Sequence, residues 1–437
     1  MRLWTCVTLV TLTGFLAACE REFILEGDRF PLRAPFSEDA GEPPVSRAAP
    51  ISLPATSLNT EWTHRLGAAS SRVGHPSLGS DPQPQWSVSI GQGEGRRHRI
   101  TAEPVSSGGL IYTLDSRARV TAVTSGGETA WTRDLTPADT RSGDSASGGG
   151  LAIGDGRLYV TSAFGSVSAL DLSSGEVIWT NRFDAPVTAA PTYAGDHLYV
   201  VASDSTGWAL EAATGREDWQ LSGAPSPSSM VGGAAPAMAG DLVLFPTPGG
   251  ELIAAQRDTG QVMWRRAVAG TRIGMAYASV TDVTGDPVVQ GDVIYVGNQS
   301  GRVMALNRRD GRPIWTADEA AYGPVWPAGG SIFLLSDRNR VVRLDADSGE
   351  FIWGAELPLY TQERERRRAG IFPHYGPVLA GGRLIVGSGD GSMRSFDPTS
   401  GEVIREASLS AGAAVSPIVV NGTMYVVSQN GQLTAYR

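Results

Sequence analysis

The phrase SSGEVIW at residues 173–179 returns down the chain in close variants. GGETAW ends at Trp131, TGREDW at Trp219, TGQVMW at Trp264, DGRPIW at Trp315, SGEFIW at Trp353 and SGEVIR at Arg405. These landmarks stand roughly 40 to 50 residues apart, and a fixed period of that length means a repeat architecture rather than a string of unrelated domains. In a chain of 437 residues the period therefore comes before any domain count.

One unit shows best at residues 185–221, APVTAAPTYAGDHLYVVASDSTGWALEAATGREDWQL. Apolar stretches are separated by AGD, SDSTG and ATG, so the unit reads as four antiparallel strands joined by tight turns. Four strands at this period make a propeller blade. A blade cannot cover its own apolar faces. A large flat indole at the same place in each unit serves the interface with a neighbour, its N–H free to find a backbone acceptor. The glycine ahead of it supplies the positive φ of the preceding turn.

The last unit fixes the number of blades. SPIVVNGTMYVVSQNGQLTAYR gives three strands and stops at Arg437, whereas PQWSVSI at 84–90 carries Trp86 with no blade before it. That early strand is expected to complete the final blade, which removes the exposed edge of an open ring. Trp86, Trp131, Trp179, Trp219, Trp264, Trp315, Trp353 and Arg405 then mark an all-β, eight-bladed β-propeller of four-stranded antiparallel blades over residues 84–437. At Arg405 the long aliphatic stem is expected to cover the same surface with its head in solvent.

Composition excludes several chemistries. The net charge is -9 with no basic tail, which argues against nucleic acid. All 36 cationic residues are Arg, so neither a P-loop lysine nor a Schiff-base lysine exists. The only two cysteines are Cys6 and Cys19, leaving the folded body without a disulfide or a thiol nucleophile. His64, His75, His98, His197 and His374 share no ligand-like spacing and read as surface or loop histidines, with no metal site. No G-x-S-x-G elbow accompanies an Asp and a His in a plausible order. GSGDG at 387–391 lies between strands, not before a helix, and reads as a hairpin turn. The Arg clusters GRRHR (95–99) and QERERRR (362–368) fall in long connections and read as solvated loops, the second with charge suited to anionic lipid or an acidic partner.

The N-terminus reads as an address. Residues 1–18 have the short apolar run of a signal peptide and end ahead of Cys19 in LAAC, which resembles the bacterial lipobox, so Cys19 is the expected lipidation site. Glu20 follows, without the Asp that resembles an inner-membrane retention signal, so the periplasmic face of the outer membrane is expected. Residues 19–83 read as a largely irregular, lipid-anchored tether. Were it wholly flexible, about 60 residues would reach on the order of 45 Å. Two islands within it, 21–33 and 59–66, are too apolar for a pure spacer and suit packing on the body or on a partner.

The units at 171–179, DLSSGEVIW, and 307–315, NRRDGRPIW, resemble the pyrroloquinoline-quinone-type propeller repeat. Two branches share it. Quinone-dependent dehydrogenases typically carry a cofactor pocket, a calcium site and often an adjacent-cysteine disulfide, and the cysteines needed for that disulfide are missing here. The chain looks more like the BamB family of outer-membrane β-barrel assembly lipoproteins in length, lipobox, tether and eight blades.

That resemblance implies a noncatalytic scaffold without a cofactor, whose partner is a BamA-like barrel subunit, with nascent outer-membrane proteins as further candidates. It also implies two docking loops. One is PSPSSMVGG at 225–233, with Ser229, Met230, Val231 and Gly232 at the contact. The other is TDVTGDP at 281–287, where Asp282 is kept, Thr284 stands at the second acidic position and Asp286 is available to substitute. Val231 takes the place of the family's Arg, so Met230 and Val231 would supply an apolar anchor. A quinone-dependent periplasmic dehydrogenase and an envelope-polysaccharide-binding propeller are the alternatives.

Overall fold

Continuous apolar runs and half-exposed ones occupy fixed places in each repeat, and that order builds a ring. The computed structural model describes residues 45–138, 147–227, 229–270, 272 and 280–437; Cys19, residues 1–18 and the island at 21–33 lie outside them. Its strands, numbered β1–β32 in chain order, form eight antiparallel sheets of four.

Blades 1 to 7 begin at β2 (Val105–Ser107), β6 (Gly149–Gly154), β10 (Thr192–Ala194), β14 (Ala237–Ala239), β18 (Val288–Gln290), β22 (Trp326–Ala328) and β26 (His374–Ala380). Blade 8 begins at β30 (Ile418–Val420). First strands of successive blades touch, β6 with both β2 and β10, which sets them around the centre. Strands such as β15 (Leu242–Pro246) and β23 (Ser331–Ser336) are buried throughout, because neighbouring blades cover both their faces. The outermost strands, such as β9 (Val177–Arg182), are half exposed.

The ring closes as the sequence implies. β1 (Pro84–Ser89) pairs antiparallel with β32 (Gln432–Tyr436), setting Val88 opposite Leu433, and Gln83 and Arg437 exchange two backbone hydrogen bonds of 2.9 Å. GSGDG forms the β27 (Arg383–Ser388) to β28 (Ser392–Phe396) hairpin turn.

Each landmark indole lies on a glycine of the next blade: Trp86 on Gly127, Trp131 on Gly175, Trp179 on Gly215, Trp219 on Gly260, Trp264 on Gly311, Trp315 on Gly349 and Trp353 on Gly401. The indole N–H donates to a carbonyl of the same turn, from Trp353 to Pro398 at 3.1 Å and from Trp315 to Ala346 at 2.9 Å. A Cβ on Gly401 would lie 2.6 Å from the Trp353 ring, and φ there is +78°, so that glycine serves both its own turn and its neighbour's tryptophan.

Arg405 departs from the pattern for a topological reason. The matching corner of blade 8 is where Gln83 meets Arg437, so it has no turn glycine to receive an indole. The Arg405 head is therefore not left in solvent: it pairs with Asp81 and reaches the Ser80 carbonyl at 3.4 Å.

Candidate partner-docking surface over a filled channel

Residues 45–83 are not the free tether that their composition suggests. The chain enters at the outer rim of blade 6, where the Arg47 N–H donates to Ile352 O of β25 (Phe351–Glu356) at 2.9 Å, and Arg343 binds the carbonyls of Ala49 (2.6 Å) and Pro50 (3.1 Å). It then crosses the ring, bonding to the innermost strand, or the residues beside it, in every blade.

Trp62 exchanges two 2.8 Å backbone bonds with Ser106 of blade 1, and Thr63 O accepts from Ile153 of blade 2 at 2.8 Å. His64 meets Tyr193 of blade 3, while Ala69 O and Ser70 O accept from Met238 and Val289 of blades 4 and 5 at 2.9 Å each. Arg72 donates to Pro324 O of blade 6 at 2.8 Å, Pro76 O accepts from Gly381 of blade 7 at 2.9 Å, and Asn59 bonds Asn421 of blade 8 at 2.7 Å. A single stretch that bonds the innermost parts of all eight blades occupies the channel. The inner strands offer unpaired backbone groups there, and the segment satisfies them. The island at 59–66 thus packs on the body, with Trp62 and Leu66 buried and Trp62 6.5 Å from Trp326.

Charge enters the channel with this segment. Arg65 forms ion pairs of 3.0 Å with both Glu103 and Asp286, and donates to Gly233 O at 3.0 Å. Burial alone would pull the guanidinium pKa down, and the two carboxylates override it and raise it. Arg72, above the Trp326 ring at 4.8 Å, is brought down to about 10 by burial.

His64, His75 and His98 lie outside the strands, in keeping with the loop half of their reading, but are buried, which corrects the surface half. The segment and the loops fold over them. His75 donates from Nδ1 to Pro54 O at 2.7 Å and accepts the Gly382 N–H at 2.8 Å. Burial pushes the His64 imidazole down from 6.5 to about 4, against the pull of the Tyr193 carbonyl. Since the unfolded chain protonates first, His64 contributes stability that is complete above pH 6.5 and is lost as the pH falls toward 4. The loss is expected to reach about 3 kcal/mol. Urea unfolding of wild type and His64→Gln between pH 7 and 4 checks it: the two curves should converge toward acid, and a constant gap would refute the assignment.

The two expected docking loops lie side by side but differ in exposure. Ser229 is exposed, and Met230 and Val231 present 36% and 52% of their surface. Val231 reaches toward Gly148 and Gly232 approaches Thr101, so this loop from blade 3 leans toward blades 1 and 2. Asp282, Thr284 and Asp286 are instead buried, at 3%, 6% and 1%, so they do not present charge to a partner as expected. Their bonds explain why. Asp282 Oδ2 accepts the Met230 N–H at 2.6 Å, Thr284 donates to Ala321 O at 2.7 Å, and Asp286 Oδ1 accepts the Ala235 N–H at 3.0 Å beside Arg65.

The second loop therefore braces the first. Asp282 Oδ1, also buried, has no hydrogen-bond partner among the described residues, and the Asp282 residue borders a small recess with Thr188, Ser203, Met230 and Thr247. Burial raises the Asp282 pKa, as it must for a carboxylate with one oxygen unpaired. Neither Arg65 nor Glu103 was singled out from the sequence; the apolar character of 59–66 was the only signal pointing toward Arg65.

These features define an eight-bladed propeller of the pyrroloquinoline-quinone-repeat class whose channel is filled by its own chain and whose inter-blade loops expose an apolar pair. The chain belongs to the outer membrane protein assembly factor BamB family, whose model matches residues 116–355 and 360–437. It is 25% identical over 361 residues to the Shewanella oneidensis assembly factor BamB, covering 80% of this chain and 88% of that one. The Escherichia coli K12 protein of the same name is 23% identical over 354 residues, covering 80% and 87%. Among solved structures, BamB from Moraxella catarrhalis superposes with a TM-score of 0.68 at 20% identity, over 82% of this chain and 99% of that one. A europium-containing methanol dehydrogenase shares the fold, with a TM-score of 0.62 at 14% identity over 84% and 89%.

Proposed function

We propose that the chain is a noncatalytic, lipid-anchored scaffold of outer-membrane protein assembly that holds a BamA-like barrel subunit through residues 229–232. The observation that carries this reading is the exposed Met230–Val231 pair, pinned by the Asp282 carboxylate at the Met230 N–H. A partner with an apolar face would cover Met230 and Val231, and buried apolar anchors of this kind dominate interface energies. Cys19 would fix the molecule to the periplasmic face of the outer membrane, and the ring would orient the assembly. Against a quinone-dependent dehydrogenase or a glycan binder at the ring mouth stands the segment 59–76, which already fills the channel.

Asp282→Arg would disrupt the loop from within, so Met230→Glu is the cleaner test of contact. A photocrosslinker at Val231 in intact membranes should yield an adduct with the barrel subunit, reduced roughly tenfold or more by Met230→Glu. No adduct from folded protein would overturn the reading.

Nascent outer-membrane strands would be a second partner, held by pairing along blade rims. The chain supplies its own precedent: residues 46–49 lie along the rim of blade 6 and leave Ile352 4% exposed, while Ile404, at the same place in blade 7, is 54% exposed. Crosslinkers at Ile178 and Ile404 should capture unfolded barrel substrates, and capture at neither would exclude this role.

A further inference from the structure

We infer that Arg65, carried into the channel by the N-terminal segment, is the positioning residue that sets the partner-docking loop from below. The inference builds on the docking role proposed for residues 229–232, but its physical content is a property of the protein alone.

The chain of contacts is continuous. One nitrogen of Arg65, Nη1, donates both to Gly233 O and to Asp286 Oδ1, each at 3.0 Å. The same Asp286 oxygen accepts the Ala235 N–H at 3.0 Å, and four residues earlier Asp282 accepts the Met230 N–H at 2.6 Å. Arg65 thus holds one docking loop directly by its backbone at Gly233. It holds the other through Asp286, whose loop in turn braces the first at Met230 and Ala235.

Asp286 is 1% exposed and its Oδ2 has no hydrogen-bond partner among the described residues. Arg65 is the cation that bonds this carboxylate, with Arg72 acting on it more weakly, so loss of Arg65 removes the larger compensation, and protonation, entry of water or movement of Asp286 would each loosen the Ala235 amide. Glu103, on the connection from blade 8 to blade 1, holds the guanidinium from the other side at 3.0 Å. The fork of an arginine fits this task because Nε meets one carboxylate while Nη1 meets the other and a carbonyl, a span that the single nitrogen of a lysine does not cover.

The functional consequence is that the segment leading to the membrane anchor and the partner loops are one mechanical unit. A displacement of the segment at Arg65 would act, through Gly233 and Asp286, on Met230 and Val231.

Hydrogen exchange read by mass spectrometry on the full-length purified protein tests this without any partner. In Arg65→Met, amides in peptides spanning 229–236 and 280–290 should exchange on the order of tenfold faster or more, while peptides of blades 6 to 8 keep wild-type rates. If Arg65→Met does not fold, Arg65→Lys is read by the same criterion, since the ammonium keeps the charge but not the three-way geometry. Wild-type exchange in both loop peptides of a folded variant would overturn the inference. Because no partner is present, a negative result leaves the docking role of Met230 standing. Conversely, faster loop exchange together with no crosslink at Val231 would keep the positioning role and remove the docking role.

Discussion

Trp353→Ala is expected to destabilise the ring by about 3–5 kcal/mol. Trp353 is fully buried, its indole N–H is bonded to Pro398 O, and its ring covers Gly401 of the next blade, so truncation leaves a cavity between blades 6 and 7 and removes one of the two donors to Pro398 O, Arg343 remaining. The loss should exceed that of Trp131→Ala, because Trp131 is only half buried and its N–H···O distance is 3.3 Å. Chemical unfolding of both variants measures the difference. Equal and small losses would mean that the indoles are surface decoration and that the blades cohere by other means.

Trp62→Ala is expected to cost a similar amount, about 3–5 kcal/mol, although Trp62 belongs to no blade. Its ring is buried against Trp326, and its backbone pairs with Ser106 of the first blade. The companion variant discriminates. The Trp62 Nε1 is buried with no hydrogen-bond partner among the described residues, so Trp62→Phe removes an unsatisfied donor while keeping most of the apolar volume. Phe should therefore recover most of the loss. If Trp62→Ala unfolds at the wild-type denaturant concentration, the segment does not seal the channel in solution.

The contrast between these two tryptophans shows where sequence reading succeeds. Trp353 announces itself by period, and the period also yields eight blades and the pairing of β1 with β32. What the period does not reveal is that each indole is received by a glycine in the following repeat, because that contact crosses between units. Arg405 breaks the period because its receiving corner joins Gln83 to Arg437 rather than forming a turn.

Trp62 carries no period at all. The segment around it is irregular because it bonds sideways to eight different blades, so it has the composition of a tether and the burial of a core. The docking loops fail differently. An Asp in a loop reads as exposed charge, yet Asp282 and Asp286 are spent on the amides of Met230 and Ala235 and on Arg65, a residue 221 positions away from Asp286. Met230 and Val231 stay exposed.

The most direct test of the scaffold account is to solubilise membranes gently, capture the full-length protein by a C-terminal tag, and identify its companions by mass spectrometry beside a Met230→Glu control. The account predicts that barrel-assembly subunits accompany the wild type and are lost from the folded control. Recovery of the wild-type protein from intact membranes without any such subunit would contradict it.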